Sequence, residues 1–292
     1  MSNQVADSVN SSSMDVMIKS GGRRAGLFAQ MKPGRVLDVP SGGGLQSRAL
    51  QALGYSVVSV DLFTGAEAGE RKVCADANHA LPFRDGVFDY VLSREGIEHL
   101  ENQVGFVREC ARVMKPGGQI VITTPSLMHL SSRFSQLLTS QRNLRRGLAN
   151  EVQTLRIAAD KRLYHGHIFM IDYFRMRYIL RLSGFDRLRV FTDQYSPTAV
   201  ALAWSVPIFY AASKFSLRAA AQKARSKHQP ETPAPVAREI LAHVFSPAML
   251  FGKRMIVVAE KAAPGASAVE QKIASLAAIA GARRPNDGVA AE

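Results

Sequence analysis

Val36-Leu37-Asp38-Val39 followed by Pro40-Ser41-Gly42-Gly43-Gly44 limits this chain more than any other stretch. The run 35–39 reads as a buried parallel strand, the glycines permit a tight turn, and 45–53 carries helical spacing up to Gly54. Residues 56–62 form a second β-branched strand containing Asp61, 23 residues after Asp38. Strand, glycine loop, helix, strand and acid open a doubly wound sheet, with Asp61 placed to grip a ribose diol. A ligand belongs where loop and acid converge.

A nicotinamide-binding loop is also glycine-rich and also followed by an acid about 20 residues on. Two details weigh against it. Counted from Gly42 and Gly44, the third glycine position is occupied by Ser47. Asp38 at the loop mouth repels a pyrophosphate and welcomes a cation, which favours S-adenosylmethionine with its sulfonium and ammonium groups.

Further motifs follow in order. Cys74, Asp76 and Asn78 precede Leu81-Pro82-Phe83; Asp85 to Ser93 reads as a strand; Glu98-His99-Leu100, then Glu109, Arg112 and Lys115-Pro116-Gly117-Gly118, lead into a strand over 120–125. With the glycine loop, this series resembles the class I S-adenosylmethionine-dependent methyltransferases, in particular the group called methyltransferase type 11. The resemblance is strong over 36–125, weaker over 165–190 and absent elsewhere. It implies an α/β fold with a doubly wound, seven-stranded, mostly parallel sheet and a helical insertion before the last strand. It also implies a cofactor pocket formed by Asp38, Pro40, Gly42, Gly44, Asp61, Leu62, Asp76, Ala77 and Ser93, with Asp76 at the adenine. One position departs from the family: glycine is usual where this chain has Pro40, which fixes φ and removes an N–H.

At 292 residues the chain exceeds an ordinary domain of ~100–200 residues, which suggests one α/β domain with additions. The expected layout is a disordered 1–13, a methyltransferase domain over 14–261 containing a basic, amphipathic insertion at 196–250, and an Ala/Gly-rich, disordered tail over 262–292. Cys74 and Cys110 lack metal-ligand spacing and read as buried, reduced thiols. The Ser/Asn-rich start shows no secretory signal, so a cytoplasmic location is expected, with peripheral attachment to the inner membrane face as an option.

Charge is uneven: residues 131–230 carry 17 basic against 5 acidic side chains, while 1–130 balance at 13 each. That middle region either faces an anionic partner or is a solvated basic face. Residues 14–31 read as a short helix leaning over the cofactor, 127–163 as arginine-rich helical pieces, and Asp172 as the cap of a helix ended by Gly184. Strands follow at 187–192 and, only after some 60 residues, 254–260. Between them, 198–213 is an uncharged run of 16 residues with Trp204, Phe209 and Tyr210, followed by Lys214, Arg218, Lys223, Arg225 and Lys227. It is shorter than the ~20 residues needed to span a bilayer. It reads as an interfacial anchor over 198–228, as a buried helical cap over the active site, or as a protein interface.

The implied reaction is an in-line displacement at the sulfonium methyl, in which the protein positions the acceptor and, for a hydroxyl, supplies a base. His99 beside Glu98 is one candidate, and His165 and His167 with Tyr164 form another; each has a structural alternative as a loop-orienting or surface group. The sequence spacing of carboxylates to these histidines suggests no metal site. Three function classes remain open: a methyltransferase for a small-molecule or lipid-linked acceptor, at oxygen; an RNA-directed methyltransferase using the basic middle region; and a non-catalytic cofactor-binding relative. Against the second, Ser93-Arg94-Glu95-Gly96 stands where enzymes that methylate base amino groups carry an Asn-Pro-Pro-Tyr type of loop.

Overall fold

The computed structural model describes residues 26–63, 71–142, 150–157, 163–227 and 231–265. Residues 1–13 and most of the expected tail lie outside these. The strands are β1 (Arg35–Asp38), β2 (Ser56–Asp61), β3 (Lys72–Cys74), β4 (Phe88–Arg94), β5 (Met114–Pro125), β6 (Leu155–Ile157), β7 (Leu163–His165), β8 (Phe185–Phe191) and β9 (Arg254–Lys261). The helices are α1 (Leu45–Ala52), α2 (Gln103–Val113), α3 (Leu130–Thr139), α4 (Glu151–Thr154), α5 (Tyr173–Leu182), α6 (Pro197–Ala201), α7 (Val206–Ser226), α8 (Ala234–Val244) and α9 (Pro247–Phe251).

Seven strands form one sheet in the order β3-β2-β1-β4-β5-β9-β8. The first five are parallel, and β9 enters antiparallel between β5 and β8. The central strands are apolar throughout because both faces are covered. One face buries Leu37, Val91, Phe106, Ile120, Ile179 and Val257 beneath α2 and α5. The other buries Val36, Leu50, Val57, Leu92 and Val121 beneath α1. Strand order reverses between β1 and β4, so a crevice opens at the carboxyl ends of β1, β2 and β4.

Several expectations are met locally. Asp172 Oδ1 accepts the N–H groups of Phe174 (2.7 Å) and Arg175 (3.0 Å), capping α5. Gly117 takes a φ of 78°, as the third position of a type II turn requires. Glu239 of α8 pairs with Arg177 (2.8 Å) and Arg181 (2.9 Å) of α5, and the Tyr173 hydroxyl meets His243 Nδ1 at 2.6 Å. The segment before β9 is thereby tied to the core.

Others need correction. Within 127–163, α3 and α4 are helical as expected, but β6 pairs antiparallel with β7 where helix was expected. The described part of the N-terminal helix is a single 3-10 turn, Phe28–Gln30. Phe28 packs on Tyr55 and Tyr90, and the Tyr55 hydroxyl donates to Phe28 O (2.8 Å), at the end of the sheet opposite the crevice. Cys110 is buried but Cys74 is exposed, because β3 is an edge strand. The buried-cap reading of 198–213 also fails: α7 buries none of its residues fully, and Trp204, Ile208 and Phe215 are 65%, 62% and 73% exposed. Its first turns dock through Val206 and Phe209 against Leu130 and Phe245, and a half-buried stripe continues beyond them.

Candidate functional site

The crevice is a cavity of about 630 Å³, within the range of small-ligand sites. Its floor is the loop after β1. Val39 N–H donates to Leu92 O and Ser41 N–H to Val60 O, both at 2.9 Å, which anchors the loop to the neighbouring strands. Gly42 and Gly44 adopt φ of 55° and 73°, and a Cβ on Gly42 or Gly43 would meet nothing within 4 Å. The loop backbone is therefore open to a ligand.

Three carboxylates surround it. Asp38 is buried, and its Oδ2 accepts from Ser47 Oγ at 2.6 Å, which in turn contacts Ser59 Oγ at 2.7 Å. Asp61, at the end of β2, accepts Gly42 N–H on Oδ2 (2.7 Å) and Phe63 N–H on Oδ1 (3.0 Å), while Lys72 Nζ holds Gly42 O at 3.0 Å. Asp76 turns towards its own loop: Oδ1 accepts Asn78 N–H (2.9 Å) and Nδ2 (3.0 Å), and Oδ2 meets His79 Nδ1.

The roof is the β6–β7 hairpin. Leu163, Tyr164 and His165 border the cavity, and Tyr164 packs edge-on against Phe63 with centroids 5.4 Å apart. Two links clamp it to the turn after β4: His99 Nδ1 to His165 O at 2.5 Å, and His165 Nε2 to Glu101 Oε1 at 2.6 Å. Gln103 Nε2 completes the clamp by donating to both Ile97 O (2.9 Å) and Phe169 O (2.5 Å).

The acids following β4 are the most perturbed groups here. Glu98 is wholly buried, and neither carboxylate oxygen has a hydrogen-bond partner among the described residues. Burial, and after it the charge of Glu95, pushes its carboxyl up to about 8. Burial also raises Glu95, which sits at a left-handed φ of 47° with its N–H held by Thr123 O (3.0 Å). Arg254 faces Glu95 (3.7 Å) and pairs with Asp193 (2.5 Å).

Asp38, Pro40, Gly42, Asp61, Leu62, Asp76, Ala77, His99 and His165 thus border one cavity. Gly44, Ser93 and His167 do not. Gly44 has already turned into the start of α1, and Ser93 is fully buried beneath Gly96 on the side of β4 opposite Arg94. His167 instead packs on His99, ring centroids 4.8 Å apart. Gln46, Arg94, Glu95 and Glu101 line the cavity and escaped the sequence reading. The signal for Arg94 and Glu95 was their place at the carboxyl end of a central strand. No residue of 196–250 borders the cavity, so among the described residues the roof is the hairpin and not the insertion. Glu98, His99 and His167 bring ligand atoms within 4.8 Å of one another, a proximity that their spacing along the chain does not indicate.

Residues 37–122 match a family model described as "Methyltransferase domain". Over that stretch the chain is similar to a methyltransferase domain. The chain is 35% identical over 103 residues to a ubiquinone biosynthesis O-methyltransferase of Caulobacter sp. (strain K31), covering 31% of this chain and 40% of that protein. It is 41% identical over 109 residues to a demethylmenaquinone methyltransferase of Beutenbergia cavernae, covering 34% and 45%. The chain therefore spans less than half the length of these relatives. Among solved structures, a SAM dependent methyltransferase from Archaeoglobus fulgidus aligns with a TM-score of 0.47 and 18% identity over 78% of this chain and 86% of that one. The open glycine loop beside two buried carboxylates suits a cationic nucleoside such as S-adenosylmethionine.

Proposed function

We propose that this chain transfers the methyl group of S-adenosylmethionine to a hydroxyl oxygen of a small or lipid-linked acceptor. The observation that carries the reading is the convergence of Asp38, Asp61 and the histidine-bearing hairpin on one cavity within the matched domain. Asp61 takes the ribose hydroxyls, Asp38 faces the cationic end, and the Asp76–Ala77 backbone borders the adenine. Bound there, the cofactor supplies an electrophilic methyl that passes to an acceptor oxygen, with S-adenosylhomocysteine as leaving group. The protein aligns the acceptor and removes its proton. His165 is the favoured base, because its Nε2 contact with Glu101 fixes the ring and stabilises the imidazolium formed on proton uptake. His99 has spent Nδ1 on the His165 carbonyl and positions the hairpin. The names of the two relatives point to a quinone-type acceptor, and the first of them to methylation at oxygen.

Incubation with methyl-labelled S-adenosylmethionine and a cell extract, followed by partition into organic, small aqueous, protein and nucleic-acid fractions, tests this. Label is expected in the organic fraction. Label confined to RNA, or none despite demonstrated cofactor binding, rejects the reading.

The exposed face near the insertion supports delivery from a lipid surface. Trp204, Ile208 and Phe215 are exposed, as are Leu137 and Leu138 of α3, and Lys214 and Arg218 share α7 with Ile208 and Phe215. Ile208 and Phe215 lie seven residues apart on one stripe of α7, and Lys214 and Arg218 lie four apart on the next. Such adjacency of aromatics and cations suits an anionic membrane better than a nucleic acid. No helix among the described residues is long and apolar enough to cross a membrane. The chain is expected to pellet with anionic vesicles, and Phe215→Ser to weaken that binding about tenfold, the cost of one aromatic side chain left out of the apolar layer. Equal pelleting with neutral and anionic vesicles, or no change in the variant, overturns this part.

A further inference from the structure

We infer that Glu98, His99 and His167 form a binding site for a divalent transition-metal ion at the wall of the cofactor cavity. Glu98 and His99 are neighbours on the 3-10 turn Ile97–His99, and His167 comes from the segment after β7. Their ligand atoms all lie within 4.8 Å of one another. The decisive observation is Glu98: a wholly buried carboxyl with neither oxygen in a well-formed hydrogen bond among the described residues, the Thr124 hydroxyl being a polar neighbour that lacks a well-formed bond too. A polar group buried without a partner is costly, and a cation is the partner that relieves a carboxylate most fully.

His99 adds an independent sign. Its Nδ1 lies 2.5 Å from the His165 carbonyl, so Nδ1 carries the proton and Nε2 presents a lone pair. Metal-bound histidines are commonly fixed in this way, with the second nitrogen donating to a backbone carbonyl. The frame around the cluster is stitched as well: Phe169 N–H donates to Glu98 O at 3.2 Å, and Gln103 bridges Ile97 and Phe169. Two imidazoles and one carboxylate suit zinc or a similar first-row ion, with remaining positions open to water or substrate. Zinc bonds of ~2.0–2.2 Å require the ligand atoms to draw in from their present spacing. The open position faces the cavity because His99 borders it. A role in activating an acceptor hydroxyl rests on the methyl-transfer reading; occupancy of the site does not.

The test is zinc binding by the full chain. Protein stripped with EDTA and dialysed is titrated with zinc chloride in competition with a chromophoric chelator, alongside Glu98→Gln and His167→Ala. The first variant keeps side-chain shape and the second lies at the surface, so both should fold, which a melting curve checks. One zinc per chain is expected, bound at least tenfold more weakly by each variant. If wild type retains no zinc, or if both variants bind as wild type does, the site is overturned. Binding of S-adenosylhomocysteine to the stripped protein is measured separately. A chain that binds zinc but moves no methyl group would reject the methyl-transfer reading and leave the metal site standing, and the converse result would do the opposite.

Discussion

Asp61→Ala should weaken the binding of S-adenosylmethionine roughly a hundredfold, equivalent to about 2–3 kcal/mol for hydrogen bonds to a charged acceptor. In the proposed role two ribose hydroxyls lose that acceptor. The geometry adds a second loss. Both oxygens already hold backbone N–H groups, of Gly42 in the glycine loop and Phe63 beyond β2. Removing the carboxylate unties the loop from the end of β2 as well as from the ligand. Titration calorimetry with S-adenosylhomocysteine reads the affinity, and a melting curve reads the loop. A fall in melting temperature with unchanged affinity would make Asp61 a strut and not a ligand-binding residue. Asp61→Asn should recover part of the affinity at most, because an amide offers one acceptor oxygen where the carboxylate offers two.

Asp61 also shows why this half of the fold was legible in the chain. Parallel strands covered on both faces appear as unbroken apolar runs, and the residue ending such a run lies at the ligand edge. Val57 to Val60 are buried and Asp61 follows them, as the pattern requires. The β6–β7 hairpin had no comparable signal: each strand has three residues, half-exposed or exposed, with no buried stripe to set a period. The Glu98–His99–His167 cluster was hidden for another reason, since spacing along the chain says nothing of contacts that close over 68 residues. The insertion was ambiguous in kind. An uncharged run is equally consistent with a buried cap and an exposed amphipathic helix, and only packing decides. In the structure the inward stripe of α7 is half-buried while Ile208 and Phe215 face out.

Gly96→Ala is expected to destabilise the fold by about 1–3 kcal/mol, the usual cost of forcing atoms into a filled space, and to deform the cofactor cavity. A Cβ at this position would lie 2.4 Å from both Cγ and Cδ of Pro40. A flexible side chain could swing away, but a pyrrolidine ring moves only with its backbone. That backbone is held on both sides, by Val39 N–H on Leu92 O and Ser41 N–H on Val60 O. Relief of the clash therefore displaces the loop that floors the cavity. The departure at Pro40 then acquires a structural counterpart: the proline is tolerated because the residue facing it is glycine. A double-mutant cycle checks this directly. Pro40→Gly alone supplies the reference stability for the cycle. In that background Gly96→Ala should lose most of its penalty, giving a coupling of at least about 1 kcal/mol in denaturant melts. Additive effects of the two substitutions would show that the alanine is resisted by something other than the proline ring.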